Sequence, residues 1–158
     1  MPRATATRHA LLDRQAEAMR DFMAYAVLFQ DAVARSGGLN GTDLQAVGLL
    51  LSGGPATPGE LAARTGLTAG GAITAVIDRL EKAGYVSRAR DPHDRRRVLV
   101  SAVPEAVMAK VGPAYAGVTE LWGEYLASLS DEQLAFANEL IARAAEVNRL
   151  EVERMRAR

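Results

Sequence analysis

Arg88, Arg90, Arg95, Arg96 and Arg97 lie close together in the chain, and the last three are consecutive. Guanidinium groups are planar and permanently charged, and their natural partners are carboxylates and phosphates. Here they alternate with Asp91 and Asp94 across a polar loop, Ala89 to Arg97, whose Asp91-Pro92 pair has turn chemistry. On either side stand Tyr85–Arg88 and Val98–Ser101, short runs of strand-type residues. The reading is a basic hairpin with arginines at its tip. An arginine so displayed can enter a narrow DNA minor groove, where the negative potential is enhanced. Asp94 would repel phosphate if left free, so it is read as an internal partner that orients a neighbouring arginine.

Other chemistries find little support. The chain has no cysteine, which excludes disulfides, thiolate metal sites and thiol redox sensing. His9 and His93 are its only histidines and are far apart, a poor basis for a metal site or a catalytic base. No paired carboxylates, His–Ser arrangement or phosphate loop is present, and Gly53-Gly54 and Gly70-Gly71 match no nucleotide motif. The expectation is a protein that is not an enzyme and carries no cofactor or metal. With no apolar span or signal-like N-terminus, a cytoplasmic protein without a membrane role is expected.

The 158 residues have a formal net charge of zero, but the charge is unevenly placed. Residues 61–101 hold eight Arg/Lys (Arg64, Arg79, Lys82, Arg88, Arg90, Arg95, Arg96, Arg97) against four acids (Asp78, Glu81, Asp91, Asp94), a balance of +4. Residues 1–60 sum to −1 and 102–158 to −3. A basic middle between acidic flanks creates a local positive patch on a neutral chain.

The elements that must position the hairpin follow from periodicity. Residues 6–35 carry Leu11, Leu12, Met19, Phe22, Met23, Ala26, Phe29 and Val33 at helical spacing, and Ser36-Gly37-Gly38 supplies a stop. Thr42-Asp43-Leu44-Gln45 reads as a capping box opening a short helix through Leu51. Thr57-Pro58-Gly59-Glu60 is a second, opening a helix to about Thr65, with Gly66 past its end. Thr68 then opens a helix to Ala83, stopped by Gly84. Helix, short glycine turn and helix make a helix-turn-helix, and the basic hairpin after it makes a wing. A long helix is expected from Pro104 to about Ala127, kinked at Gly112-Pro113, and a last one from the capping box Ser130-Asp131-Glu132-Gln133.

On the helix from Thr68, Ile73, Val76, Ile77 and Leu80 share one face, and Thr68, Gly71, Thr74, Ala75, Asp78, Arg79 and Lys82 share the other. The second face is small and polar, as a helix lying in a major groove requires. An ordinary amphipathic surface helix has the same pattern, so the hairpin is the stronger sign. Gly70 and Gly71 would let the backbone approach DNA; Thr68 and Thr74 suit phosphates or thymine methyls, and Arg79 and Lys82 suit phosphates. Without Asn or Gln on this face, sequence choice is expected to rest partly on methyl contacts and DNA shape.

The stretch Gly66-Leu67-Thr68, then Asp78-Arg79-Leu80-Glu81-Lys82-Ala83-Gly84-Tyr85-Val86, then Arg88 and Arg90-Asp91-Pro92-His93-Asp94-Arg95-Arg96-Arg97-Val98, resembles the MarR family of bacterial transcription regulators. The likeness extends over nearly the whole chain. It implies a mainly α (α+β) fold, a winged helix-turn-helix whose long N- and C-terminal helices form a homodimerisation region. The segments would be residues 1–40, part of that region; 41–103, the DNA-binding domain; and 104–158, the rest of the dimerisation region. It implies a sequence-specific regulator of double-stranded DNA, mostly a repressor of a pseudo-palindromic operator, released by a small aromatic or anionic effector. The DNA-binding set is Thr68, Ala69, Gly70, Gly71, Thr74, Ala75, Arg79, Lys82, Arg88, Arg95, Arg96 and Arg97, with Arg96 first choice for the minor groove. Met23, Tyr25, Phe29, Tyr115 and Trp122 are candidates to line an effector cleft, with dimer core as the alternative role. Apart from the resemblance, Val118, Leu121, Trp122, Tyr125, Leu126 and Leu129 carry more apolar surface than a small lobe can cover, which favours a twofold dimer. The rival reading is a winged-helix protein-interaction module without a DNA role.

Overall fold

The structure is a computed structural model that describes residues 7–68 and 70–156. Among the described residues, seven helices and two strands follow in the order α1 (Arg8–Ser36), α2 (Gly41–Gly53), α3 (Pro58–Thr65), α4 (Gly71–Lys82), β1 (Val86–Arg90), β2 (Val98–Ala102), α5 (Pro104–Lys110), α6 (Gly112–Ala127) and α7 (Asp131–Arg156). This is the expected winged helix-turn-helix with long flanking helices. By compactness the described chain divides within α6, between Tyr115 and Ala116.

Local signals explain most of the boundaries. Thr7 caps α1, and the backbone N–H of Gly37 closes it on the Val33 and Ala34 carbonyls. Thr57 and Glu60 form a reciprocal capping box at α3, with Pro58 in its first turn. Gly66 follows in the left-handed region at φ 76°, which an L side chain disfavours. Ser130 and Gln133 exchange the same pair of bonds at the start of α7.

Four boundaries differ from the sequence expectation. The cap of α2 is Asn40, not Thr42: Asn40 Oδ1 accepts the Asp43 N–H, Asp43 answers as the third helical residue, and the helix runs on to Gly53. Asparagine is among the strongest N-caps, and Asn40 has the same spacing to an acid. Thr68 does not open α4; Gly70, at φ 117° and ψ −133°, is the cap, so the helix starts at Gly71. The expected kinked helix is two helices, broken at Val111, because Pro113 has no N–H to continue the ladder. In the hairpin, β1 starts one residue later than expected and runs two further, β2 runs one further, and the register goes from Val86 opposite Ala102 to Arg90 opposite Val98. It also gains a third member, since Ala56 exchanges backbone hydrogen bonds with Val100 at 3.0 and 2.8 Å.

The first unit contains the core. Leu61, Ile73, Ile77, Leu80, Val47, Val100, Tyr85 and Val111 are fully buried in it. Tyr85 joins distant segments: its hydroxyl donates to the Gly37 carbonyl at 2.7 Å, and its backbone carbonyl accepts the Val103 N–H at 2.9 Å. The Lys110 ammonium lies 4.8 Å from the ring centroid and bonds the Ala83 carbonyl. The end of α1, the junction of α4 and β1, and α5 therefore share one buried side chain.

In the second unit, Val118, Leu121, Trp122, Tyr125, Phe136 and Ile141 are exposed in the single chain. Trp122 stacks on Tyr125 with centroids 5.5 Å apart. Among the described residues, no helix is long and apolar enough to cross a membrane.

Candidate nucleic-acid interface

The two faces of α4 separate as the periodicity predicts. Ile73, Val76, Ile77 and Leu80 are buried, whereas Gly71, Thr74, Ala75, Asp78, Arg79 and Lys82 are exposed. Thr68 and Gly70 are exposed in the turn before the helix. Ala69 lies outside the described residues. Gly70 brings no side-chain acceptor to the first turn of α4, and the Thr74 hydroxyl donates back to the Gly70 carbonyl at 2.9 Å.

The wing turn is organised by its two aspartates. Asp91 Oδ1 accepts the His93 N–H at 2.8 Å and the Asp94 N–H at 3.4 Å. Asp94 Oδ1 accepts the Arg96 N–H at 3.0 Å, and the Asp94 carbonyl accepts the Arg97 N–H at 2.9 Å. Asp94 therefore orients an arginine through the backbone rather than through its guanidinium. These are Asx-type turns, in which a short carboxylate replaces a backbone acceptor. The bond from His93 N–H, more than any other influence, holds the Asp91 carboxyl below its ordinary value. Arg90 Nη1 donates to the Arg95 carbonyl at 3.1 Å, bracing the loop from β1. Arg95 and Arg96 are left exposed at the tip.

Three of the expected DNA-contacting arginines have carboxylate partners on neighbouring elements. Arg79 donates from Nη2 to Asp43 Oδ1 at 2.7 Å and from Nε to Asp43 Oδ2 at 3.3 Å. Arg88 on β1 bonds Asp78 and Glu81, both on α4. Arg97 Nη2 pairs with Glu60 Oε1 at 2.7 Å, joining the wing to the start of α3. The hydrogen bond that Arg79 donates to Asp43 raises the pKa of Arg79, and the one that Arg88 donates to Asp78 raises that of Arg88. Asp43, Glu60, Asp78 and Glu81 are the partners of these arginines that sequence reasoning missed. Only the i, i+3 spacing of Asp78 and Glu81 on the helix beside the wing hinted at such a role.

Glu60 carries a pH dependence. Its carboxyl is held below its ordinary value of 4.5, first by the Thr57 N–H, then by the Thr57 hydroxyl, and less by Arg97. A carboxyl depressed in the folded state stabilises the fold above its unfolded value, and that contribution disappears as pH falls through the folded value. Glu60→Gln should therefore flatten the acid limb of a Tm-versus-pH curve below pH 4.5. Parallel curves for the two proteins would show that the cap carries no net proton linkage.

Of the candidate effector residues, two are brought together within the first unit. Phe29 and Tyr115 meet edge to face with centroids 5.4 Å apart, and the Tyr115 hydroxyl donates to Gln30 Oε1 at 3.1 Å. Met23 and Tyr25 are exposed on α1, at 51% and 71%. Trp122 belongs to the second unit. A shallow depression between α1 and α2 is lined by Val27, Gln30, Asp31, Gly41 and Gln45. Among the described residues, no group of three or more His, Cys, Asp or Glu could hold a metal ion.

Comparison with known proteins agrees with this geometry. Residues 37–97, which span the helix-turn-helix and most of the wing, match the MarR family. The uncharacterized HTH-type transcriptional regulator YcgE of Bacillus subtilis (strain 168) is 39% identical over 133 residues, covering 82% of this chain and 83% of the relative. A MarR family protein from Bacillus stearothermophilus has the same fold, with a TM-score of 0.66 at 20% identity over 89% of this chain and 97% of its own. NadR, solved in complex with 4-hydroxyphenylacetate, superposes with a TM-score of 0.54 at 22% identity over 93% of this chain and 99% of its own. With a recognition-type helix, a basic wing and a close relative over most of its length, the chain belongs to the MarR family of DNA-binding transcriptional regulators.

Proposed function

We propose that this chain is a homodimeric repressor that reads a pseudo-palindromic operator and releases it on binding a small aromatic or anionic effector. The observation that carries the reading is the joint display of two DNA-sized features by the first unit. These are the small, polar, exposed face of α4 and the exposed Arg95-Arg96 tip of the wing. Gly70, Gly71, Thr74 and Ala75 admit close approach to a major groove, with Thr68 and Lys82 toward phosphates. Arg96 enters the minor groove, and Arg95 and Arg97 flank it on phosphates. Arg79 and Arg88 act through their carboxylate partners rather than on DNA.

The exposed apolar residues of the terminal helices support twofold pairing. The Phe29–Tyr115 pair, with its Gln30 hydrogen bond, offers an aromatic wall and a polar group of the kind that suits a phenol or aryl carboxylate. The NadR complex supports an effector of that class.

Selection from a random-sequence duplex pool, followed by gel shift at graded salt, tests the reading. The expected product contains two half-sites about 10 base pairs apart, or a multiple of that. Affinity should fall steeply with salt, with a log–log slope of about −4 or steeper, as several arginines displace counterions. Aromatic carboxylates added to the complex should release the duplex, and a reporter carrying it upstream should be silenced by the protein. An unselected pool and no shift at low salt would favour a protein-interaction module instead.

A further inference from the structure

The geometry points to Asp43 as the positioning residue of the recognition helix: through its two-point bond to Arg79 it fixes the rotation of α4 and thereby operator preference. The inference rests on the reading of α4 as the DNA-reading helix. Asp43 is the one buried charged residue among those described, at 3% exposure, and it is engaged on two sides. Within α2, Oδ2 accepts the Asn40 N–H at 3.4 Å and the Asp43 N–H donates to Asn40 Oδ1 at 2.9 Å, so the carboxylate is anchored to its own helix start. Toward α4, both oxygens receive Arg79, at 2.7 and 3.3 Å.

What α4 otherwise rests on is apolar. Ile73, Val76, Ile77 and Leu80 bury one face, and such burial is non-directional. It fixes which face of α4 points inward and leaves the finer rotation within that face to directional contacts. A bidentate guanidinium–carboxylate pair is directional, and a modest turn of α4 that keeps the apolar face inward would still break the two-point geometry between Arg79 and Asp43. The neighbouring residue, Asp78, faces Arg88 on β1 together with Glu81. The helix is thus gripped by α2 on one flank and by the root of the wing on the other. A residue that sets rotation governs which of Thr74, Ala75 and Lys82 meets the groove floor, yet touches no DNA itself. A phosphate contact by Arg79 predicts the opposite pattern, since it adds affinity on every sequence and steepens the salt dependence.

The test uses the full chain, the duplex that wild-type protein selects from a random pool, and a scrambled duplex of equal length. Arg79→Lys keeps the charge but loses the planar two-point geometry. It should lower the operator-to-scrambled affinity ratio about tenfold, leaving scrambled binding and the salt slope unchanged. The double variant Asp43→Asn/Arg79→Met removes both charges, so no buried carboxylate is left unpaired. Its Tm should stay close to wild type while it loses the same preference. A wild-type ratio in Arg79→Lys would overturn the inference. So would equal loss on both duplexes in the double variant with a salt slope shallower by about one, the mark of a lost phosphate contact. If wild-type protein itself shows no preference between duplexes, the DNA-reading assignment of α4 falls, and this inference with it.

Discussion

Arg96→Ala lowers affinity for the selected operator at least tenfold, read in titrations at one fixed salt concentration. The magnitude follows from the place of the side chain. Arg96 stands at the exposed turn of a hairpin whose backbone is fixed by Asp91 and Asp94, so little backbone freedom remains to be lost on binding. A guanidinium in a narrow groove is drawn by a focused potential rather than by one phosphate. A tenfold loss is about 1.4 kcal/mol, within the range of a good groove contact. Arg97→Ala should have a smaller effect, because Arg97 already has Glu60 as a partner. If Arg96→Ala bound its operator like wild type, the wing tip would not be in the groove. Circular dichroism of each variant guards against misfolding, since the turn bond to residue 96 comes from the backbone and survives the substitution.

Ile77→Ala has the largest expected effect on stability, a loss of about 2–5 kcal/mol in urea denaturation followed by far-ultraviolet circular dichroism. Ile77 is wholly buried at the centre of the apolar face of α4, and truncation leaves a cavity that the surrounding core fills only in part. Ala75→Ser, on the exposed face of the same helix, should change stability by no more than about 0.5 kcal/mol. It acts instead on operator preference, because it adds a polar group to the surface presented to the groove. Equal stability changes in the two variants would mean that the inward and outward faces of α4 had been confused.

These two variants also mark what could be read from residue order alone. The faces of α4 were legible because burial on a helix follows one periodicity, which Ile73, Val76, Ile77 and Leu80 display without interruption. The wing was legible because Gly84, two strand-type runs and Asp91-Pro92 are local signals. Local signals also produced the errors. Thr42 and Asn40 both offer capping oxygens, and the choice between them depends on Asp43, whose carboxylate is shared with a residue on another helix. Thr68 satisfies a capping pattern, but the backbone of Gly70 takes a conformation that no helix continues. The Ala56–Val100 bridge and the partners of Arg79 and Arg97 were beyond reach. Arg79 lies 36 residues from Asp43 and Arg97 lies 37 from Glu60, and such pairings exist only once the helices have packed. For the same reason the charge count could not tell which arginines are already paired with a carboxylate.

The chain has a single tryptophan, Trp122, which is 55% exposed and stacked on Tyr125 in the second unit. Indole emission excited at the red edge therefore originates entirely outside the winged lobe. Solvent quenchers reach that indole in the single chain, and burial by a second copy would shield it, so its quenching constant becomes an assay of pairing. The indole thus reports on the second unit alone, without any added dye.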